Sequence, residues 1–385
     1  MDVVIVGAGV IGAAVAYELV EAGYQVAVFE RCAGPAAASS GANAGILASG
    51  YDREAGSLEA SLMRTAAARR PAIFQQLNIE YRTLGALVLA QTPHEVLRFA
   101  DIVQNARQNG IDVQPLDSSK LREREPGARG RAALFVPEEA ITDPFEVTRR
   151  LLACARVHYN AQVLAIEERS SIAVLRLASA TVTARVAINC AGLHADTLAG
   201  DDAFRIVPRR GDFVVYAPAQ PPQLRHILRP VDRETGVLVF PTLYGHLCAG
   251  PDSVEQSDKE DWRPRGLRDV REMGARLFPM LSALQPVGAW AGLRAAGVPH
   301  DYHIEWSPRV RGLLNVAAIR GTGLSAALGI SAHVRGLLEA RDLFPRGRQL
   351  AASAAQFDAP RPWWERRDLE HEADGGSLGR ASDIE

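Results

Sequence analysis

Residues 3–20 read VVIVGAGVIGAAVAYELV, and Glu18 is the only charged residue among them. A stretch of this kind has three interpretations: a membrane anchor, an export signal, or the wall of a nucleotide pocket. An export signal needs a basic start, whereas this chain begins Met1-Asp2. The stretch barely reaches the length of a membrane span, and its three glycines weaken that interpretation further. We therefore set both targeting interpretations aside.

The same stretch contains the parts of a βαβ nucleotide-binding unit. Val3 to Val6 predict a short strand buried on both faces, and the alanine-rich segment from Ile11 to Glu21 has the length of a helix. Between them, Gly7, Gly9 and Gly12 match G-x-G-x-x-G. Such glycines permit the tight turn, the approach of backbone to a pyrophosphate, and the packing of helix on strand.

A second predicted strand, QVAVFE, ends on Glu30, whose carboxylate can accept hydrogen bonds from ribose hydroxyls. An acid here suits an unphosphorylated ribose, as in NAD or FAD, rather than that of NADP. The helix N-terminus offers N–H groups and a positive dipole end to the phosphates. The nucleotide contacts predicted from this unit are Gly7, Gly9, Val10, Ile11, Gly12 and Glu30.

The segment after Glu30, RCAGPAAASSGANAGILASGYD (31–52), is small, polar and glycine-rich, as in a loop that passes close to a ligand. Here the chain resembles the D-amino-acid-oxidase-like (DAO) superfamily of FAD-dependent oxidoreductases. SSGANAGIL followed by GYD is similar to the same segment in one branch of that superfamily. This branch contains FAD-dependent glycerol-3-phosphate dehydrogenases and L-2-hydroxyglutarate oxidases. The resemblance implies that the cofactor is FAD. It adds as cofactor contacts Arg31, Ser40, Asn43, Ala44, Gly45 and Ile46.

The resemblance covers roughly residues 2–345, and it depends on the order of many motifs. ARVAINCAGLHADTLA (184–199) resembles the strand and turn that cross the nucleotide site again. LLNVAAIRGTGLSAALGISAHV (313–334) resembles the part of the chain that closes the flavin site, with a helix N-terminus facing the flavin. The cofactor contacts implied by these motifs are Ala191, Gly192, Gly321, Thr322, Gly323 and Leu324.

The order of the motifs predicts an α/β protein (α+β overall) in which a Rossmann-like FAD-binding domain is interleaved with a β-sheet-rich substrate domain. A length of 385 residues also favours two domains. We assign 1–80, 140–205 and 290–345 to the FAD domain, and 81–139 and 206–289 to the substrate domain. PHEVLRFADIVQNARQNG (93–110) predicts one amphipathic helix ending at Gly110.

The last residues, 346–385, form a charged, glycine-bearing tail that we expect to be partly disordered. Trp363-Trp364 is its exception. These tryptophans either pack against the chain's own surface, which we favour, or anchor a partner subunit.

Arg294, in WAGLRAA, is the leading candidate for the substrate site. The resemblance places this arginine at the substrate, where its planar fork can clamp a carboxylate or phosphate. In PRRGDF, Arg210 is a second candidate, although Arg209 makes the choice ambiguous. Three further candidates are Tyr244 (a cavity position by resemblance), His246 (a general base) and Tyr51 (after the flavin loop).

This chain departs from the family pattern at two places. Ala48 stands where the family often has histidine, so a base or flavin contact is lost, and Ala295 replaces the proline that commonly follows the arginine. The four cysteines lie far apart and the nine histidines are scattered, so we predict no metal or iron–sulfur site. Electrons must therefore leave through oxygen, a quinone, a dye-like acceptor or a separate subunit. A net charge of −2 gives no sign of a nucleic-acid partner, and cysteine usage fits the cytoplasm.

The favoured function is oxidation of the C–OH of a small anion, glycerol 3-phosphate or a 2-hydroxy acid, by hydride transfer to flavin N5. The first alternative is an amine oxidase or dehydrogenase of the same superfamily, acting on glycine, sarcosine or proline. The second alternative is a flavin-bearing subunit whose role is assembly. An arginine clamp suits both substrate classes because each substrate is an anion.

Overall fold

The structure of the protein is a computed structural model, which describes residues 1–200, 204–217, 224–232, 236–298, 300–345 and 364. The strands are β1 (Val3–Val6), β2 (Val26–Phe29), β3 (Ile46–Leu47), β4 (Tyr81–Thr83), β5 (Ala86–Ala90), β6 (Gln114–Asp117), β7 (Ala132–Val136), β8 (Ala140–Thr142), β9 (Arg156–His158), β10 (Val163–Arg169), β11 (Ile172–Leu177), β12 (Thr181–Ala184), β13 (Val186–Asn189), β14 (Arg205–Tyr216), β15 (Ile227–Pro230), β16 (Leu238–Pro241), β17 (Leu247–Gly250), β18 (Val254–Glu255), β19 (Pro286–Val298), β20 (His303–Trp306), β21 (Leu313–Ala317) and β22 (Ile319–Arg320). The α-helices are α1 (Val10–Glu21), α2 (Leu58–Gln76), α3 (Pro93–Leu97), α4 (Phe99–Gln108), α5 (Ser118–Arg124), α6 (Pro144–Leu152), α7 (Ala195–Ala199), α8 (Leu267–Leu277) and α9 (Gly323–Glu339), with 3₁₀ turns at Gly192–His194 and Pro279–Ala283.

A six-stranded sheet carries the glycine-rich unit, in the order β20-β21-β13-β1-β2-β9. Its strands pair in parallel except at β20–β21. Val3 and Ile5 of β1 pack among the helices, whereas Val4 and Val6 pack against the small sheet β10-β11-β12. The prediction of a strand buried on both faces is therefore confirmed, because alternate side chains enter two different cores.

A larger sheet of ten strands follows the order β22-β19-β14-β17-β16-β15-β5-β7-β6, and β18 pairs with β14. Its spine is β14 paired with β19 over their whole length, antiparallel. Phe213 and Val215 face one core, and Val214 and Tyr216 face another that includes α8. The α/β fold class is confirmed, with a nucleotide-type sheet beside a sheet-rich region.

The two sheets take strands from alternating stretches of the chain. Three strands of the six-stranded sheet precede residue 160, and β13, β20 and β21 follow much later. β19 belongs wholly to the larger sheet, although it runs into the stretch 290–345 that we assigned to the FAD domain. The domain boundaries themselves stay predictions.

The predicted helix over 93–110 is two helices in the structure. α3 begins at a capping box of Thr92 and Glu95, and α4 begins after Arg98. The Arg98 N–H donates to Glu95 O, which tightens the turn and breaks the helix there. α4 is followed by Gly110 at φ +69°, as the glycine stop predicted.

Of the tail, only Trp364 lies within the described residues, so Trp363 and the predicted disorder fall outside them. Trp364 is buried and stacks on Trp290, with ring centroids 6.1 Å apart. It packs on the chain's own larger sheet. Among the described residues, no helix has the length and apolar character to cross a bilayer.

Candidate cofactor and substrate sites

The glycine-rich loop lies between β1 and α1, with backbone in very close contact. A Cβ on Gly12 would lie 2.0 Å from Gly7 O, so helix and strand can pack only with glycine there. Gly7 itself has φ +104°. Gly9 is the N-cap of α1 and supplies no capping side chain, while Val10 N donates to Ser40 Oγ at 2.9 Å. The loop after β2 therefore reaches back to the start of α1.

Glu30 comes directly after β2, at the carboxyl end of the strand. Its carboxylate accepts hydrogen bonds from Ala8 N at 2.7 Å and Cys32 N at 2.9 Å. These bonds fix the acid beside the glycine-rich loop, where a ribose is held in nucleotide-binding units.

A cavity of about 470 Å³ opens over this loop. Apolar side chains and backbone form most of its wall, including Val163, Leu164 and Val316. The predicted cofactor residues that line this first cavity are Gly7, Gly9, Val10, Ile11, Glu30, Arg31, Ser40, Asn43, Ala191, Gly192, Gly323 and Leu324.

A second cavity of about 500 Å³ adjoins the first, and both share Ser39, Asn43 and Arg320 as wall residues. Predicted cofactor residues on its wall are Asn43, Ala44, Ile46, Gly321 and Thr322. Gly12 and Gly45 line neither cavity. Gly12 lies within α1, on the side that packs against Gly7, and Gly45, at φ +74°, donates its N–H to Asn43 Oδ1. These two glycines shape the backbone instead of forming the wall.

The turn between β21 and α9 crosses the junction of the two cavities and holds two strained residues. Ala318 and Arg320 have φ of +59° and +52°, in the left-handed region that side chains disfavour. Glu59 holds the turn, because its buried carboxylate accepts from Arg320 Nη2 and, at 2.6 Å, from Thr322 Oγ1. Burial alone would raise the pKa of Glu59, but Arg53, Thr322 and Arg320 bring it below its usual range.

Among the described residues, six arginines line the second cavity: Arg53, Arg205, Arg209, Arg229, Arg294 and Arg320. Arg294 donates to Asp252 O at 2.8 Å and lies 3.4 Å from Ser253 Oγ. Burial lowers the pKa of Arg294 to about 10; the charge of Asp252 opposes this shift and that of Arg209 adds to it. Arg53, Arg229 and Arg320 pair with carboxylates. Arg205, Arg209 and Arg294 form no ion pair among the described residues.

The sheet register shows which of Arg209 and Arg210 faces the second cavity. Arg209 lies directly opposite Arg294 in the β14–β19 pairing and lines the cavity with it. Arg210 faces the other way, is 6% exposed, and its Nε donates to Asp212 Oδ1 at 3.1 Å. The candidate Arg210 is thus placed in the core, because successive residues of a strand point to opposite faces.

Three other candidates lie outside both cavity walls. Tyr244 donates its hydroxyl to Asp143 Oδ2 at 2.5 Å, and Asp143 caps α6. The ring of His246 lies 5.1 Å from that of Trp364. Tyr51 is buried, and burial raises the pKa of its hydroxyl. Their direct contact with substrate stays a prediction, while Ala48, which replaces the family histidine, does line the second cavity.

Sequence reasoning missed Arg53 and Arg229. Arg229 pairs with Glu139 at 2.5 Å, and its Nε is buried without a hydrogen-bond partner among the described residues. β15 carries Arg229 and pairs in parallel with β5, whose sequence is distant. An arginine inside the apolar run HILRPV was the available signal, of the same kind as WAGLR.

Comparison with known proteins agrees with this geometry. The family of FAD dependent oxidoreductases, DAO, matches residues 2–337. A glycerol 3-phosphate dehydrogenase of Caloramator mitchellensis is 29% identical over 353 residues, which cover 88% of this chain and 74% of the relative. An L-2-hydroxyglutarate dehydrogenase of Escherichia coli O17:K52:H18 (strain UMN026) is 29% identical over 280 residues, covering 69% of this chain and 66% of the relative. The chain spans about two thirds to three quarters of the length of these relatives.

Solved structures share the fold. The FAD-bound, dithionite-reduced L-α-glycerophosphate oxidase of Mycoplasma pneumoniae has a TM-score of 0.84 at 24% identity, covering 93% of this chain and 98% of that chain. Glycine oxidase of Geobacillus kaustophilus has a TM-score of 0.80 at 24% identity, covering 93% and 99%. The glycine-rich loop, Glu30 and the adjoining cavities fit a dinucleotide, which the residues lining the first cavity would hold. Because the family match spans both sheets and both cavities, the chain belongs to the DAO family of FAD-dependent oxidoreductases, and its cofactor is FAD.

Proposed function

We propose that this enzyme oxidises the C–OH of a small anion, glycerol 3-phosphate or a 2-hydroxy acid, bound in the second cavity. The observation that carries the proposal is the arginine lining of that cavity. The Nε atoms of Arg209 and Arg229 are both buried without a hydrogen-bond partner among the described residues. Buried donors without partners are costly, and an anionic ligand would satisfy them.

Arg294 is the central residue of this proposal. It faces Arg209 across the strand pair and has no carboxylate within ion-pair distance among the described residues. Two cations side by side repel each other, and a phosphate or carboxylate between them removes that repulsion. The geometry supports binding of the substrate's anionic group at Arg209 and Arg294.

FAD, when bound, supplies the acceptor for the hydride that leaves the substrate carbon. The chain must hold that carbon in place and provide for the proton of the hydroxyl group. Asp52 and Glu59 on the cavity wall are held in ion pairs with Arg53. Asp252 also lines the cavity, and burial raises its pKa, with Asp212 N–H and the nearby arginines opposing the rise. We assign Asp252 to accept the hydroxyl proton.

The test is anaerobic reduction of the bound flavin, measured as the loss of its visible absorbance. The panel is glycerol 3-phosphate, L-2-hydroxyglutarate, glycine, sarcosine and L-proline. The proposal expects rapid bleaching by one of the first two and none by the amino acids. Bleaching by the amino acids alone would instead establish the amine alternative, which the same arginines could serve through a carboxylate.

Asp252 has its own test within the same assay. The rate of flavin reduction should fall as the pH drops through the pKa of Asp252, because only the carboxylate form accepts a proton. Asp252→Asn should slow reduction and remove that acidic limb of the pH profile. An unchanged profile would withdraw the assignment.

The electron acceptor and the cellular location are also proposals. Oxygen uptake during turnover would identify an oxidase, whereas reduction of a quinone or dye alone would identify a dehydrogenase or a subunit of a larger complex. Failure of every substrate to bleach the flavin would favour a flavin-bearing assembly subunit. All four cysteines are free, which supports a reducing compartment such as the cytoplasm.

A further inference from the structure

We infer that the side chain of Glu260 acts as a clasp: it holds the cofactor cavity closed and so slows the release of FAD. Glu260 lies between β18 and α8, in a connection that belongs to the larger sheet. The first cavity, however, is built around the six-stranded sheet, and Glu260 is part of its wall. A carboxylate from one sheet region therefore closes a cavity of the other.

The contacts of Glu260 join two sides of that cavity. Arg31 donates to Glu260 Oε1 from Nη1 at 2.9 Å and to Oε2 from Nη2 at 3.3 Å, a bidentate pair. His194 Nε2 lies 2.8 Å from Oε1, in a contact that is not aligned as a hydrogen bond. Burial lowers the pKa of His194, so the ring is neutral at neutral pH and the charged partner of Glu260 is Arg31. Arg31 follows Glu30, the predicted ribose contact, and His194 ends the 3₁₀ turn that starts at Gly192. All three clasp residues line the first cavity.

The connection around Glu260 is held at both ends, so the carboxylate is positioned before FAD binds. At its β18 end, Gln256 N donates to Pro208 O of β14 at 3.0 Å. Asp212 Oδ2 accepts from Arg265 N at 2.8 Å, at the α8 end. Between them, Glu260 N donates to Asp258 Oδ1 at 2.8 Å. Fixing the loop in this way reduces the entropy lost when the clasp forms.

The neighbouring Lys259 provides a matched comparison. Its Nζ bonds both oxygens of Asp196, at 2.7 and 2.9 Å, and so ties the same loop to α7. Neither Lys259 nor Asp196 is a wall residue of the first cavity. Substitution of Lys259 therefore tests the docking of the loop, whereas substitution of Glu260 tests the closure of the cavity.

The clasp is partly exposed, which sets the size and salt dependence of its effect. The side chains of Arg31 and Glu260 are 35% and 54% exposed. Exposed ion pairs are weak and are screened by salt, so the expected effect on the release rate is about two- to fivefold. Burial would raise the pKa of Glu260, but Arg31 and His194 hold it below its usual range, so the clasp carries its charge at neutral pH.

The experiment measures FAD release from the holoenzyme after dilution, by the rise in fluorescence of free FAD. Glu260→Gln should raise the release rate about two- to fivefold, and Lys259→Met should change it by less than about 1.5-fold. Added NaCl should speed release from the wild type toward that of the variant. Thermal melts of both variants check that they are folded.

A double-mutant cycle then tests the contact itself. In an Arg31→Met background, Glu260→Gln should have little further effect on release. The inference is overturned if Glu260→Gln leaves the wild-type rate unchanged, if Lys259→Met raises it equally, or if the effect of Glu260→Gln persists undiminished without Arg31. The measurement needs no substrate, so its outcome is independent of the proposed function.

Discussion

The two cavities adjoin and have similar volumes, about 470 and 500 Å³, but their walls differ in kind. The first is shaped by glycines and apolar side chains, with Glu30 at a strand end and Glu260 also on its wall. The second is lined, among the described residues, by six arginines that come from several strands and loops. A cavity built from backbone can be read from a local motif, whereas a cavity built from converging side chains depends on strand register. Variants in each cavity should therefore fail in different ways.

The largest effect is expected in the first cavity. Gly12→Ala should abolish FAD binding and lower the melting temperature, because its Cβ would lie 2.0 Å from Gly7 O. The absorbance ratio of flavin to protein and a thermal melt measure both effects. The matched control is Gly336→Ala in α9, where no described atom outside the adjoining residues of the same helix lies within 4 Å of the new Cβ. That variant should keep its FAD, and equal loss in both variants would contradict the role of Gly12.

The next largest effect is expected in the second cavity. Arg294→Met should raise KM roughly 100-fold, because the charged, buried contact that we propose with the anion is lost. FAD should stay bound, since Arg294 lines only the second cavity. Steady-state kinetics and flavin absorbance separate the two results. An unchanged KM would remove Arg294 from the substrate site.

A smaller effect should distinguish two neighbours in sequence. Arg209→Met should raise KM about tenfold and leave thermal stability nearly unchanged, because Arg209 faces the cavity. Arg210→Met should do the reverse, since it leaves the buried Asp212 without its guanidinium partner. Kinetics and melts of this pair test the register of β14. The same phenotype in both variants would contradict the alternation.

The smallest effect on the chemistry is expected at Glu59, where the readout is stability against pH. Its folded pKa lies below the ordinary value of 4.5, so its contribution is complete above that pH and is lost as the pH falls through the lower, folded value. The difference in melting temperature between wild type and Glu59→Gln should be constant from about pH 6 to 8 and shrink below about 4.5. A difference that does not shrink in acid would rule out the ion pairs as its source.

The comparison of the cavities also explains which residues of the candidate site could be predicted from the sequence. Gly7, Gly9 and Glu30 could be placed because strand, turn and second strand follow each other within 30 residues. Arg209 and Arg210 could not be told apart, because only the partner strand β19 decides which of them faces the cavity. Arg229 was missed because β15 reaches the cavity through pairing with a strand about 140 residues earlier.

The positions of Tyr244 and His246 could not be derived from their hairpin either. Their surroundings include Asp143 and Trp364, which approach from other parts of the chain. The helix over 93–110 had the right amphipathic character, but the turn at Arg98 divides it. In each case a contact made by distant residues, or a local change of hydrogen bonding, overrides the sequence pattern.

The strand order of the six-stranded sheet has a consequence for synthesis on the ribosome. β1 can pair with β2 once about 30 residues have been synthesised, but its other neighbour, β13, is made about 180 residues after β1. At about 5–20 residues per second, this edge of β1 stays open for roughly 10–40 s. An open edge of a valine-rich strand is a template for wrong pairing. In the nascent chain, β1 is therefore where we expect a chaperone to be needed, until β13 pairs with it.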